Sequence, residues 1–133
     1  MCSSTIRVLV ADDYEPFRQF LVLRLKQRPV LQIVGQVSDG QEAVRKAEEL
    51  KPDLILLDID LPTLNGIDAA REIRKRSPES KIIFVTQEFC NEMVQAAHNL
   101  GSSGYVLKAE AGSKLLAAVD AVLEGRLFFS SGL

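Results

Sequence analysis

Asp53-Leu54-Ile55-Leu56-Leu57-Asp58-Ile59-Asp60-Leu61-Pro62 is the stretch whose reading decides the fold. Leu54 to Leu57 are all aliphatic, as a central strand of a parallel sheet covered on both faces requires. Pro62 has no N–H to give a sheet ladder and Asn65-Gly66 is a turn signal, so the strand stops at or near Asp58. The Asp58 carboxylate therefore stands at a strand's C-terminal end, the edge at which open α/β sheets collect their ligands.

Outward from that strand the chain alternates between two periods. Upstream, Ile6 to Val10 is a β-rich run that ends in Asp12-Asp13, and Phe17, Leu21 and Leu25 then repeat at helical spacing with Pro16 in the first turn. Leu31 to Val37 alternates loosely, as an edge strand does, and Ala43, Val44, Ala47 and Leu50 mark a second helix. Downstream, Ile67, Ala70 and Ile73 define a third helix, Lys81 to Thr86 a fourth strand, and Met93, Val94, Ala97 and Leu100 a fourth helix poor in charge and capped by Gly101. Gly104 to Lys108 is a fifth strand; Leu115, Leu116, Val119, Val122 and Leu123 form a fifth helix ending near Gly125. The apolar tail Leu127-Phe128-Phe129 suits either a partner surface or ordinary packing. The prediction is one α/β domain over residues 1–133, core about 5–125, with a doubly wound five-stranded parallel sheet between helices in three layers.

At 133 residues the chain holds one domain with a real core, and 47% hydrophobic against 26% charged residues describes a globular protein. A net charge of −2 gives no general attraction to nucleic acid or to an anionic membrane. No apolar run approaches membrane-spanning length, the start Met-Cys-Ser-Ser-Thr lacks the features of a signal peptide, and Cys2 and Cys90 form no motif. The expectation is a cytoplasmic protein with no membrane partner.

Strands ending in Asp12-Asp13, Asp58, Thr86 and Lys108 put all of these groups on one edge of a parallel sheet. Three carboxylates brought together repel unless a cation joins them, which implies a hard, oxygen-seeking ion such as Mg²⁺. A lysine and a hydroxyl beside them suit a phosphate-like anion. The chemistry that uses this set is attack of a carboxylate on a phosphoryl group to give an aspartyl phosphate. No histidine is needed as base, because a carboxylate is already ionised at neutral pH.

In this order, the acid pair, Asp58 with Leu61-Pro62 and Gly66, Thr86 and Lys108 resemble the receiver domain of two-component response regulators over essentially the full chain. Gly101-Ser102-Ser103-Gly104-Tyr105-Val106-Leu107-Lys108, Leu115-Leu116 and Glu124-Gly125 are similar to the NarL/LuxR-type branch, and the fold implied is flavodoxin-like, as in CheY. The resemblance implies that Asp58 is the phosphoacceptor, that Asp13 and Asp58 bind Mg²⁺ directly, and that Asp12 binds it through water. The Asp60 carbonyl would complete the protein ligands. Lys108 would pair with the phosphate, Thr86 would move to bond it, and Tyr105 would swing inward with Thr86. The donor would be a sensor histidine kinase, and the output would pass through the fourth helix, fifth strand and fifth helix to an output domain, transcriptional in this branch, or to a phosphorylation-dependent homodimer.

Some positions depart from the family pattern. Gln87 stands where a small residue usually leaves room over the phosphate, and Asp60 and Glu88, at positions that set phosphate lifetime, are both acidic. Ala109 replaces the proline that often follows the lysine through a cis bond, and Ala111 stands where a serine often caps the last helix. Such a chain would be no enzyme beyond its own phosphoryl transfer and dephosphorylation. The branch usually continues into a helix-turn-helix domain and these residues hold none, so DNA binding by them is not expected. Two rivals are a phosphorylation-independent interaction module, which Gln87 makes conceivable, and a haloacid dehalogenase-type phosphatase, whose Asp-x-Asp motif Asp58-Ile59-Asp60 matches. That phosphatase motif normally lies near the start of a larger chain. His98 and Cys90 read as bystanders.

Overall fold

Leu54 to Leu57 have no solvent exposure and form the middle of the sheet, as their unbroken apolar run predicts. The computed structural model describes residues 5–87 and 90–129. In chain order its elements are β1 (Ile6–Ala11), α1 (Glu15–Leu25), β2 (Leu31–Val37), α2 (Gly40–Leu50), β3 (Leu54–Leu57) and α3 (Gly66–Arg76). There follow β4 (Lys81–Thr86), α4 (Asn91–Asn99), β5 (Gly104–Leu107), α5 (Ala111–Leu123) and β6 (Phe128–Phe129).

The strands are parallel and lie in the order β2-β1-β3-β4-β5-β6, with helices on both faces. Strand alternation sends the side chains of β3 to two cores. Ile55 and Leu57 join Leu9, Ala43, Ala47, Ile73, Ile82, Phe84 and Ala97, whereas Leu54 and Leu56 join Val8, Val10, Leu21, Leu25, Ile83, Leu115 and Val119. On the side of the second core, an ion pair 2.7 Å long joins Arg28, in the turn that follows α1, to Asp120 on α5. Among the described residues no helix is long and apolar enough to cross a membrane.

Local chemistry sets the helix starts. Asp39 and Asn65 cap α2 and α3 by accepting from the backbone N–H of Glu42 and Asp68 at 2.8 and 2.9 Å. Tyr14 and Cys90 head α1 and α4 without a side-chain cap. Ala111 turns out to be the first residue inside α5, and the cap position falls on Glu110, which also provides no side-chain capping bond. A single 3₁₀ turn over Lys108–Glu110 delivers the chain to that helix.

The sheet has a sixth strand where five were predicted. Gly125, at φ 88°, turns the chain back after α5, and Phe128 and Phe129 then pair with Gly104 and Tyr105. Two residues carry no readable period, so only the apolarity of the tail was visible in the sequence. The close approach needs a bare Gly104, since a Cβ there would stand 3.0 Å from the Phe128 carbonyl oxygen.

Candidate functional site

Register brings the chemistry together. Ala11 pairs with Leu57 and Leu57 with Phe84, so Asp12 and Asp58 each follow their strand at the same level of the sheet. The Asp58 N–H donates to the Ala11 carbonyl and the Asp12 N–H to the Val37 carbonyl, both at 3.1 Å, which fixes the two backbones beyond their strands. One strand further on, Thr86 pairs with Leu107, placing Lys108 just past the end of β5.

The loop leaving Asp58 is tied down as firmly. The Gly66 N–H reaches back to the Ile59 carbonyl at 2.7 Å, and the Gly40 N–H reaches the Pro62 carbonyl at 3.0 Å. Thr63, at φ 67°, donates its hydroxyl to Asp39 and accepts from the Gln41 N–H, both at 3.2 Å. The N-terminus of α2 thus holds the loop that carries Asp60.

Asp12 and Asp58 are buried, at 1% and 3% exposure, while Asp13 faces solvent. The Lys108 ammonium bridges the two buried acids, with Nζ 2.8 Å from Asp12 Oδ2 and 3.1 Å from Asp58 Oδ2. Burial, and next to it the charge of Asp58, holds the Asp12 carboxyl above its ordinary value, against the opposing pull of Lys108 and of the Tyr14 N–H. Burial pulls the Lys108 ammonium down, but Asp12 and Asp58 together outweigh it and hold the group above its ordinary value.

These carboxylates fit a cation. Asp12, Asp13 and Asp58 each offer an oxygen, all within 4.8 Å of one another. Asp12 Oδ2 is buried without a hydrogen bond of good geometry; its 2.8 Å contact with Lys108 is an ion pair by distance only. A hard divalent ion takes such oxygens as ligands.

A cleft of about 880 Å³ opens beside this cluster, lined by Asp13, Asp58, Asp60, Gln87 and Lys108, with Tyr14, Phe17 and Ala109 completing it. Asp60 is exposed, and its N–H lies 3.3 Å from Asp58 Oδ1. Thr86 is buried at the end of β4 and does not line the cleft. Tyr105 is wholly buried, its ring 6.3 Å from those of both Phe84 and Phe129. Glu88 lies outside the described residues. No cis peptide occurs among the described residues, so Lys108-Ala109 is trans.

Two aromatic residues were missed as neighbours of the site. Phe17 repeats at helical spacing like any core residue, yet its ring stands 4.7 Å from Lys108 Nζ. Phe129 covers Tyr105 at an interplanar angle of 14° and stacks on His98 at 5.3 Å, so His98 is exposed but not without a partner. A helix opening directly after Asp12-Asp13 with an aromatic residue on its inner face could have flagged Phe17; no comparable signal marks Phe129.

A parallel sheet with this polar edge defines the class, and the comparisons agree with it. Residues 8–120 match the family model of the response regulator receiver domain, and the chain belongs to that family. It is 34% identical over 129 residues to the response regulator GacA of Pseudomonas viridiflava, covering 94% of this chain and 58% of that protein. It is 35% identical over 120 residues to the transcriptional regulatory protein LiaR of Bacillus subtilis, covering 90% of this chain and 57% of that one. The crystal structure of a LuxR-family two-component response regulator from Aurantimonas sp. SI85-9A1 superposes with a TM-score of 0.90 at 32% identity, over 96% of this chain and 91% of that one. The chain spans under three-fifths of the length of these two curated relatives. It is a receiver domain homologous to two-component regulators of the LuxR type, and Asp58-Ile59-Asp60 therefore stands in a receiver.

Proposed function

We propose that Asp58 accepts a phosphoryl group from a sensor histidine kinase and that the acylphosphate switches the α4-β5-α5 surface. The observation that carries this reading is the Lys108 ammonium, held between two buried carboxylates where three carboxylates converge within 4.8 Å. An oxygen of Asp58 attacks the donor phosphorus; the O–P bond forms as the bond from phosphorus to the donor imidazole breaks, and the imidazole leaves with the electron pair. Lys108 meets the charge that builds on the phosphoryl oxygens. Mg²⁺, held by Asp13 and Asp58 directly, by Asp12 through water and by the Asp60 carbonyl, would supply further neutralisation of that charge when bound. The chain catalyses only this transfer and the later loss of phosphate to water.

Thr86 and Tyr105 form the switch in this reading: the hydroxyl moves to the phosphoryl group and the ring fills the space beside it, so the phosphoryl group acts as a ligand for one of two states. Asp60 and Gln87, both lining the cleft, and Glu88 tune the lifetime of the phosphate through their access to attacking water. The output is transcriptional, by way of an output domain or a phosphorylation-dependent homodimer, and the domain, with its core over about residues 5–125, works in the cytoplasm without contacting DNA or membrane itself.

Intact mass after incubation with acetyl phosphate, with and without Mg²⁺, tests the reading on the wild type and on Asp58→Asn. The expected result is a metal-dependent phosphoryl adduct that the variant lacks. No adduct under any condition would overturn the phosphoacceptor role and leave an interaction module that signals without phosphate.

A further inference from the structure

The Lys108 ammonium has three N–H donors and two carboxylates before it, and its third side faces an aromatic ring. Nζ stands 4.7 Å from the centroid of Phe17, inside the range of about 6 Å over which a ring face attracts a cation. The lysine side chain is only 15% exposed, so water screens this contact weakly. Phe17 itself is half-buried, packs against the core beneath α1 and lies 5.5 Å from the ring of Phe20. The ring is therefore placed by the helix and the core, independently of the lysine.

We propose that Phe17 is a positioning residue for phosphoryl transfer, its ring face holding the Lys108 ammonium in the cleft where phosphoryl oxygens arrive. The inference rests on the reading of Asp58 as phosphoacceptor. Lysine is a point charge on a flexible four-carbon stem, and Asp12 at 2.8 Å pulls it to one side. When an Asp58 oxygen becomes bonded to phosphorus, the ammonium must exchange that contact for a phosphoryl oxygen. A further carboxylate would hold the lysine back and would add a negative charge to a site that already has three. A neutral ring face keeps the cation in place and leaves its N–H groups free to change partners.

The test uses the full chain with Phe17 replaced by phenylalanines carrying one, two and three ring fluorines, which drain the ring face of charge with little change in shape. Two quantities are read: the rate of adduct formation with acetyl phosphate and Mg²⁺, and the ¹⁵N-detected resonance of the Lys108 ammonium in the free protein. The logarithm of the rate is expected to fall stepwise with fluorine number toward the value for Phe17→Leu, a total loss of roughly five- to thirtyfold. Phe17→Tyr, which keeps the face, should restore the rate, and the Lys108 resonance should move with each fluorine. Urea midpoints that stay level across the fluorinated series separate this from a packing effect. Equal rates along the series would overturn the role in transfer. A resonance indifferent to fluorine would overturn the contact itself, and would do so even if the wild type formed no adduct, the outcome that instead refutes the phosphoacceptor reading.

Discussion

Replacing Gly66 by alanine is expected to damage stability and phosphoryl transfer together, because the missing side chain of Gly66 is what lets α3 begin directly against Asp58. A Cβ built at Gly66 stands 2.0 Å from the Asp58 carbonyl oxygen and 2.7 Å from the Ile59 Cα. Cβ atoms essentially never approach within 3.0 Å of another heavy atom, and both obstacles are backbone, so the loop has to open by about 1 Å. Opening stretches the 2.7 Å bond from the Gly66 N–H to the Ile59 carbonyl. Overpacking costs about 1–3 kcal/mol and a weakened hydrogen bond about 1 kcal/mol, for an expected total of roughly 2–4 kcal/mol. The same shift moves the Asp58 carboxylate away from a lysine it now meets at 3.1 Å, and a misplacement of about 1 Å is worth on the order of a hundredfold in rate. Urea unfolding gives the first quantity, provided the m-value is unchanged, and adduct formation with acetyl phosphate gives the second. Gly101→Ala is the control: φ there is 89° and the nearest atom is an Arg74 nitrogen at 3.4 Å, so about 1–2 kcal/mol of stability should go with no change in rate. A Gly66→Ala protein with the wild-type midpoint and a rate within about twofold of wild type would refute the reasoning.

Two further outcomes follow from the charges and the rings. Burial and the Asp58 charge raise the Asp12 carboxyl above its ordinary 3.8, so the native state binds more protons than the unfolded chain from there up to the native value. Stability of the metal-free protein should therefore fall as pH rises through that window, and urea midpoints against pH should show Asp12→Asn losing this part of the slope; coincident slopes would refute it. Lys108, raised above 10.5 by its two acids, adds stability that is complete below that pH and lost as pH rises through the native value, a loss that Lys108→Met should not show. Phe129→Ala removes a half-buried ring and should cost about 2 kcal/mol in urea unfolding, roughly half the cost for a fully buried one. It should also expose Tyr105 to collisional quenching when tested in a Tyr14→Phe background; unchanged quenching would show that β6 does not cover the ring.

What was legible in the sequence and what was not divides along a physical line. Leu54–Leu57 and the acids that follow could be placed because burial on both faces and a strand's end leave marks in residue order, and Asp58 is where those marks meet. Order also gathers Asp12, Asp13 and Lys108 onto one edge, but it does not say which acid the lysine meets. That choice is made by register: Ala11 pairs with Leu57, Asp12 stays in the sheet's last buried layer beside Asp58, and Asp13 is left facing solvent. The distinction has chemical weight. The buried acid carries the raised pKa and shares the lysine with Asp58, while the exposed one remains open for a cation. Phe17 and Phe129 were hidden for the opposite reason, since an aromatic residue at core spacing looks the same whether its far face meets a methyl group, an ammonium or a tyrosine. Only side-chain geometry separates those cases, and in this receiver both rings lie against residues that the phosphoryl chemistry is proposed to move.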